Sequence, residues 1–535
     1  MTNELRQFIQ DFEKKVVPLS RELNLAYFKA TTTGKKEYYQ QWETDELKMS
    51  KILSDKSDFA KLKKFKESGL ISDPILQREL TVLYNKYLEK QIDPQKLEEM
   101  IRRQTAIEKK YSTFRAKLNG KELTDNDIEL ILKTETNSEK LKNAWLASKQ
   151  IGAVVADSVL QLVKMRNEAA RELGFANYHA MKLNLSEQDP EQIGKLFDEL
   201  DSLTANAFAG LKDEIDNYLA RKYRIKKSEL MPWHYQNRFF QEAPKIYQVD
   251  LDEFYKDKDL VEIVRNYYAG IGLPIDEVIE QSDLFERKGK YQHAYSTDID
   301  REGDVRVVCN VKPNYNWMNT LLHEFGHSVY DKYSDRNLPW VLREPAHTFT
   351  TEAIAMMFGR FAANPDWLTG VAGVPRNTVE KVADACRKSQ RLDQLVFSRW
   401  AQVMYRFEKS MYQNPDQDLN TLWWQLVEKY QLLKKPAGRN QADWAAKIHV
   451  ALYPAYYHNY LMGELLASQL YYYITNNVLQ GDSPAVRSFA NQKAVGRYLA
   501  EKIFMPGKRY YWDDMIEKAT GEKLTAKYYA QQFVD

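Results

Sequence analysis

Only two cysteines, Cys309 and Cys386, occur in 535 residues, too few for the disulfide framework that staples small secreted domains. No run of about eighteen apolar residues stands out, so no membrane-spanning helix is expected. The amino terminus, Met-Thr-Asn-Glu-Leu-Arg-Gln, lacks the apolar centre of a signal peptide. The sequence as it stands therefore reads as cytoplasmic, and as periplasmic or secreted if a leader was removed. An excess of one charge is missing too. The 77 Lys and Arg meet 75 Asp and Glu for a net charge of +2, with no basic stripe, so no nucleic acid partner is expected. No internal repeat or low-complexity linker breaks the chain. What is present is a hydrophobic fraction of 44% and an aromatic fraction of 13%, enough to fill a sizeable core.

Prolines are sparse over the first 190 residues, and the pattern there is helix after helix. Leu97, Met100, Ile101, Ile107, Tyr111, Phe114 and Leu118 trace one apolar stripe, which predicts a helix ended by Asn119-Gly120. A second helical run over 138–173 closes on Gly174. Residues 190–290 stay mostly helical, with turns at Pro232, Pro244 and Pro274. The texture then changes. The β-formers of 291–297 and 305–310 flank Arg301-Glu-Gly-Asp, which predicts a short hairpin. Beyond 345 the chain reads as helical again, broken at Pro436 and Pro454.

The hairpin leads into Asn316–Tyr330. Met318, Leu321, Leu322, Phe325 and Val329 recur at helical spacing, so this stretch should be a half-buried helix. His323 and His327 then stand four apart on one face, with Glu324 beside them. This is the arrangement by which a peptidase holds zinc on two nitrogens and keeps a carboxylate next to the attacking water. A third ligand is needed, and Glu352 is the candidate. It lies on an apolar helix with Phe349, Ala353, Met356, Met357 and Phe361, where an acid is costly unless paired or metal-bound. Glu344 competes, although Arg343 before it and Pro345 after it suggest a turn with an ion pair. Residues 447–460 hold enough hydrogen-bond donors to stabilise an oxyanion. The strand ahead of the metal helix offers its free edge to an extended peptide.

From His293 to Tyr460 the sequence resembles the angiotensin-converting-enzyme family of zinc peptidases. His293-Ala294 precedes His323 by thirty residues, as the substrate-strand His-Ala of that family does. His323-Glu-Phe-Gly-His327 is followed by Leu338-Pro339, Leu342-Arg343-Glu344 and Glu352-Ala353-Ile354, the family order with its glutamate ligand one residue later. Trp423-Trp424 through Tyr430, Arg439-Asn440 and Ala446–Val450 are similar as well. Weaker similarity at Asn167–Arg171 and Pro232–His234 extends the match over most of the chain.

The resemblance implies one zinc per chain on His323, His327 and Glu352, with Glu324 as general base and acid. It implies that His293, Ala294 and His449 hold the substrate backbone and that Tyr460 stabilises the oxyanion. Lys447 and Tyr457, with Gln241, would bind a free C-terminal carboxylate, Tyr456 competing with Tyr457. The chain departs from the family at four positions. Asn459 replaces an arginine that helps bind chloride, and Val427 falls where another would be, so little chloride activation is expected. Met356 replaces an aspartate that supports a zinc histidine, so the groups behind the ligands must differ. Gln292 replaces the disulfide partner of Cys309.

The resulting expectation is a zinc-dependent peptidase that takes short peptides and releases dipeptides from a free C-terminus. An endo-acting oligopeptidase of the thimet-oligopeptidase type, which shares the His-Glu-Phe-Gly-His block, and a single-residue zinc carboxypeptidase are the alternatives. The expected fold is mainly α, a two-lobed helical ellipsoid with a deep cleft and a small β-hairpin beside the zinc helix. Residues 1–125 would form a helical N-terminal lid region and 126–535 the catalytic body. The physiological peptide and the oligomeric state stay open.

Overall fold

A computed structural model of the chain describes residues 1–534. Helices hold 69% of the chain and the described residues form two small antiparallel sheets, each a two-stranded hairpin, so the fold is mainly α. In chain order the elements used below are α1 (Thr2–Thr33), α2 (Lys36–Leu53), β1 (Ala116–Leu118), β2 (Lys121–Leu123), α3 (Gln150–Glu172), β3 (Tyr295–Asp298), β4 (Val305–Val308), α4 (Tyr315–Lys332), α5 (Thr348–Gly359) and α6 (His458–Tyr473). They fall into two compact units, each assembled from separated stretches of chain. The first holds residues 1–91, 249–387 and 462–528, and the second holds 92–248, 388–461 and the described residues from 529 on.

In the first unit, α1 buries Leu5, Ile9, Phe12 and Val16 on one face, where they pack with Leu80, Leu83, Tyr87 and Val341. Helix α4 starts at Asn314, whose side chain accepts the Trp317 N–H at 2.9 Å, the usual way of satisfying a free helix N–H. Its apolar stripe is buried as the periodicity predicts, with Met318, Leu321, Leu322, Phe325 and Val329 all fully covered. α4 packs against α5 so closely that a Cβ on Gly326 would stand 2.7 Å from Ala355 Cα. The predicted hairpin is present as β3–β4, with Tyr295 opposite Val308 and Asp298 opposite Val305.

Glu344 takes no part in metal geometry. Its carboxylate pairs with Lys86 at 2.9 Å, with Lys508 at 2.5 Å and with Arg301. Burial opposes its ionisation, but the three cations outweigh burial and hold the carboxyl well below its ordinary range. The expected ion pair therefore exists with different partners. Arg343 itself pairs with Glu302. Both Cys309 and Cys386 are free and buried.

In the second unit the predicted helix through Leu118 ends earlier, at Thr113. Asn119 and Gly120 both take positive φ, 52° and 76°, and make the turn of the β1–β2 hairpin. Asn-Gly suits a two-residue hairpin turn as well as a helix end, and three residues of strand on either side decided between them here. One stretch, Ser138–Glu172, is long and apolar enough to cross a membrane by length and composition, contrary to the sequence reading, and 56% of its most apolar window is buried inside the protein. Its buried face carries Arg166, which donates to the Tyr412 hydroxyl at 3.1 Å and the Ala451 carbonyl at 2.9 Å. That is the pattern of a core helix.

The Gly326 contact sets a sharp steric limit. Gly326→Ala is expected to cost roughly 1–3 kcal/mol of unfolding free energy, the usual penalty for overpacking a tight contact. Urea denaturation compared with an exposed glycine-to-alanine control, Gly210→Ala, which meets nothing within 4 Å, would measure it.

Candidate active site

Three side chains of the first unit converge. His323 and His327 rise from successive turns of α4, and Glu352 comes from the first turns of α5. One candidate ligand atom from each lies within 4.8 Å of the others. The two Nε2 atoms are 3.2 Å apart, and Glu352 Oε2 is 3.6 Å from His323 Nε2 and 3.8 Å from His327 Nε2. Two nitrogens each about 2.0–2.1 Å from one tetrahedral zinc would be separated by roughly 3.3 Å. The histidine spacing and the His2Glu donor set therefore fit a zinc ion, with a fourth position left for chemistry.

The imidazoles are prepared as ligands. Burial holds His323 down to about 4, and burial together with His323 holds His327 well below its ordinary value, so both are neutral near pH 7. With Nε2 turned to the trio, His327 Nδ1 shares a hydrogen bond with Thr351 Oγ1 at 2.7 Å, which orients the ring. Thr351 thus supplies an oxygen behind a ligand histidine in a chain that has Met356 where an aspartate was expected. The sequence reading missed Thr351, because a threonine beside Glu352 carries no distinguishing pattern. Gly463 of α6 is a second tight place, since a Cβ there would stand 3.2 Å from Glu352 Cβ.

Glu324 is 8% exposed and lies against the hairpin. The Ser296 amide of β3 donates to its carboxyl, but burial and then Glu352 dominate and push it up to about 8. Burial and then Glu464 raise Glu352 to about 7. Ser296 Oγ and Ser328 Oγ are 3.0 Å apart, tying β3 to α4. His293 is exposed just ahead of β3 with Ala294 half-buried beside it, and its ring is 5.1 Å from Tyr291.

The other predicted residues belong to the second unit and form a cluster of their own. Lys447 is 8% exposed and its Nζ hydrogen-bonds Gln241 Oε1. It lies 5.5 Å from the ring centres of Phe239 and Trp400 and 5.7 Å from that of Tyr457. Burial, then Arg238, lowers Lys447 to about 8. The Tyr457 hydroxyl accepts from Trp400 Nε1 at 2.8 Å, and its ring is 5.2 Å from His449. Tyr457, not Tyr456, is therefore the tyrosine grouped with Lys447. Tyr456 and Tyr457 both flank Tyr460, at 5.4 and 5.5 Å. His449 Nδ1 is buried with no hydrogen-bond partner among the described residues, an open polar atom of the kind a substrate amide can satisfy. Phe239 and Trp400, which enclose Lys447, were not singled out from sequence. Asn459 is buried and accepts from Gln188 Nε2 at 2.7 Å, and Val427 is buried and apolar.

A cation binding to the trio must displace the proton that Glu352 retains below about pH 7. Zinc affinity of the metal-free protein is therefore expected to fall as pH drops below that value. At about pH 6 binding should release about one proton from Glu352 and up to a second from Glu324, with release fading above about pH 8. Titration calorimetry in buffers of different ionisation heat measures this, and an affinity flat across that range would refute it.

The family described as angiotensin-converting enzyme matches residues 1–533. Among known proteins, the inactive angiotensin-converting enzyme-related protein of Caenorhabditis elegans is 23% identical over 364 residues, covering 60% of this chain and 40% of that protein. The angiotensin-converting enzyme of Sus scrofa is 21% identical over 434 residues, covering 74% of this chain and 32% of its own length. Carboxypeptidase 1 of Bacillus subtilis (strain 168) is 23% identical over 261 residues, covering 44% of this chain and 50% of that protein. The chain thus spans half or less of the length of these relatives. With the family match running almost end to end, the chain belongs to the angiotensin-converting enzyme family of peptidases.

Proposed function

We propose that this chain is a zinc metallopeptidase that releases dipeptides from the free C-terminus of short peptides. The observation that carries the reading is the convergence of His323, His327 and Glu352 with Glu324 beside them at the edge of β3. Zinc, when bound, supplies a Lewis acid that acidifies water and polarises the scissile carbonyl. Glu324 accepts the proton of the attacking water and later delivers it to the leaving amine. A carboxyl raised towards neutrality by burial suits both halves of that exchange. His293 and Ala294 hold the peptide backbone ahead of β3. His449 takes a backbone carbonyl, and Tyr460 donates to the oxyanion.

The preference for a free C-terminus rests on Lys447. A buried ammonium held by Gln241 and walled by Phe239, Trp400 and Tyr457 is a strong receptor for one carboxylate, since little water competes. The family includes a nematode relative named as inactive. Retention of Glu324 beside a complete ligand trio supports activity in this chain. The similarity to a carboxypeptidase keeps single-residue release as the second reading, which product analysis separates directly.

Glu324→Gln is expected to lower kcat on the order of 10²–10⁴-fold while the protein keeps its zinc, as read by metal analysis of the purified variant. Full activity would refute the mechanism. On a pair of peptides differing only in C-terminal amidation, the free acid should yield dipeptides and the amide should be poor. Lys447→Ala should raise KM for the free acid on the order of 10–100-fold and leave the amide unaffected. Because Lys447 loses its charge above about 8, KM for the free acid should climb as pH rises past that value. Equal cleavage of both peptides would point to the endo-acting alternative.

A further inference from the structure

Between the short helix Ile448–Leu452 and α6 the chain makes a strained turn. Ala455 takes a φ of 54°, the left-handed region that is unfavourable for a residue with a Cβ and persists only where the surroundings impose it. Tyr457 and Tyr460 follow within the next turn of chain. A small rotation at Ala455 therefore swings both tyrosines.

Three buried side chains from distant parts of the second unit hold this segment. Arg166 of α3 donates to the Ala451 carbonyl at 2.9 Å, ahead of the turn. Gln188 spans the far side, with its Oε1 2.8 Å from His458 Nε2 and its Nε2 donating to Asn459 Oδ1 at 2.7 Å. Glu408 takes the turn itself, accepting the Ala455 N–H on Oε1 at 2.7 Å. It comes from the helix Ala383–Gln413, where Met404 and Met411 stand about one turn either side of it in the core. Glu408 is 4% exposed. An acid is costly at a place that an apolar side chain could fill, and what it supplies instead is a hold on one strained backbone group. Burial pushes its carboxyl up to about 8, against the pull of the Ala455 N–H and of Arg166. Near pH 7 it is therefore mostly neutral, and its carbonyl oxygen accepts the N–H as the oxygen of a glutamine would.

We propose that Glu408 is a positioning residue for Tyr457 and Tyr460, holding Ala455 in the left-handed turn that fixes where the two rings stand. The proposal rests on the reading of Tyr457 as a receptor for the substrate C-terminus and of Tyr460 as the oxyanion donor. Glu408 itself touches neither substrate nor metal in that reading. Without it the Ala455 N–H loses its acceptor and the alanine is free to relax to an ordinary backbone conformation. A displacement on the order of 1 Å at a catalytic group is enough to lower a rate about 10²-fold.

The test compares Glu408→Ala, Glu408→Gln and Ala455→Gly, with Glu408→Ala also combined with Ala455→Gly. Glu408→Ala should lower kcat on the free-acid peptide roughly 10–100-fold with zinc content unchanged. Glu408→Gln, which keeps an acceptor at the same reach, should stay near the parent. Glycine adopts the left-handed turn without strain, so Ala455→Gly should return much of the kcat that Glu408→Ala loses. A general packing defect at position 408 would not be repaired in this way. Hydrogen exchange of the segment 453–460, followed by mass spectrometry, reads the clamp without turnover, and should quicken in Glu408→Ala but not in Glu408→Gln. If Glu408→Ala does not fold, Glu408→Asp, which withdraws the acceptor by one methylene, carries the same comparison. Quickened exchange in Glu408→Ala, with a parent protein that cleaves neither peptide, would keep the clamp and sink the peptidase reading. An active parent whose kcat is unchanged in Glu408→Ala, a loss shared equally by Glu408→Gln, or a loss that Ala455→Gly leaves untouched would overturn the proposal.

Discussion

The contact of Gly326 with Ala355 is the constraint on which the metal trio depends. His323 and His327 share a helix and would share a face in any setting, because four residues make about one turn. Glu352 arrives on a different helix, and its carboxylate reaches the imidazoles only if α4 and α5 approach backbone to backbone. Glycine at 326, inside the histidine block itself, permits that approach. Gly463 repeats the device on the far side of Glu352, where α6 closes over its Cβ. Two missing side chains thus bring the Glu352 carboxylate to 3.6 and 3.8 Å from the two imidazole Nε2 atoms.

The same close packing creates the electrostatics of the site. Burial and the nearby Glu352 raise Glu324, burial and Glu464 raise Glu352, and both carboxyls hold their protons at higher pH than a solvated acid would. Without a cation this is unfavourable for the charged forms. A divalent cation at the trio would favour the charged forms of both carboxyls. Thr351 orients His327 from behind, so a hydroxyl one residue before Glu352 contacts the ring in a chain that has Met356 where a carboxylate was expected. Glu344, equally acidic in sequence, is drawn the opposite way by Lys86, Arg301 and Lys508.

In the second unit an apolar wall surrounds a buried cation. Lys447 on an exposed surface would bind a carboxylate weakly, since water screens both partners. Enclosed by Phe239, Trp400 and Tyr457 and held by Gln241, it is a cation of reduced pKa. Hydrogen bonding of Tyr457 by Trp400 settles which of two adjacent tyrosines shares that enclosure.

Local periodicity made the main helices, the β3–β4 hairpin and the two histidines with their glutamate legible from residue order, because 3.6- and 2-residue repeats are written within one turn or one pleat. Glu352 was legible as an acid stranded on an apolar helix. Asn119-Gly120 misled, because the same dipeptide ends helices and turns hairpins, and pairing between β1 and β2 chose the second. The ion partners of Glu344, the hydroxyl behind His327 and the rings around Lys447 come from residues tens to hundreds of positions away, as does the interleaving of two units from separated stretches. Sequence therefore determined which residues could do chemistry and on which faces they stand. Tertiary structure alone decided which of them meet, because contact between distant segments depends on packed volumes and missing side chains that no local repeat records.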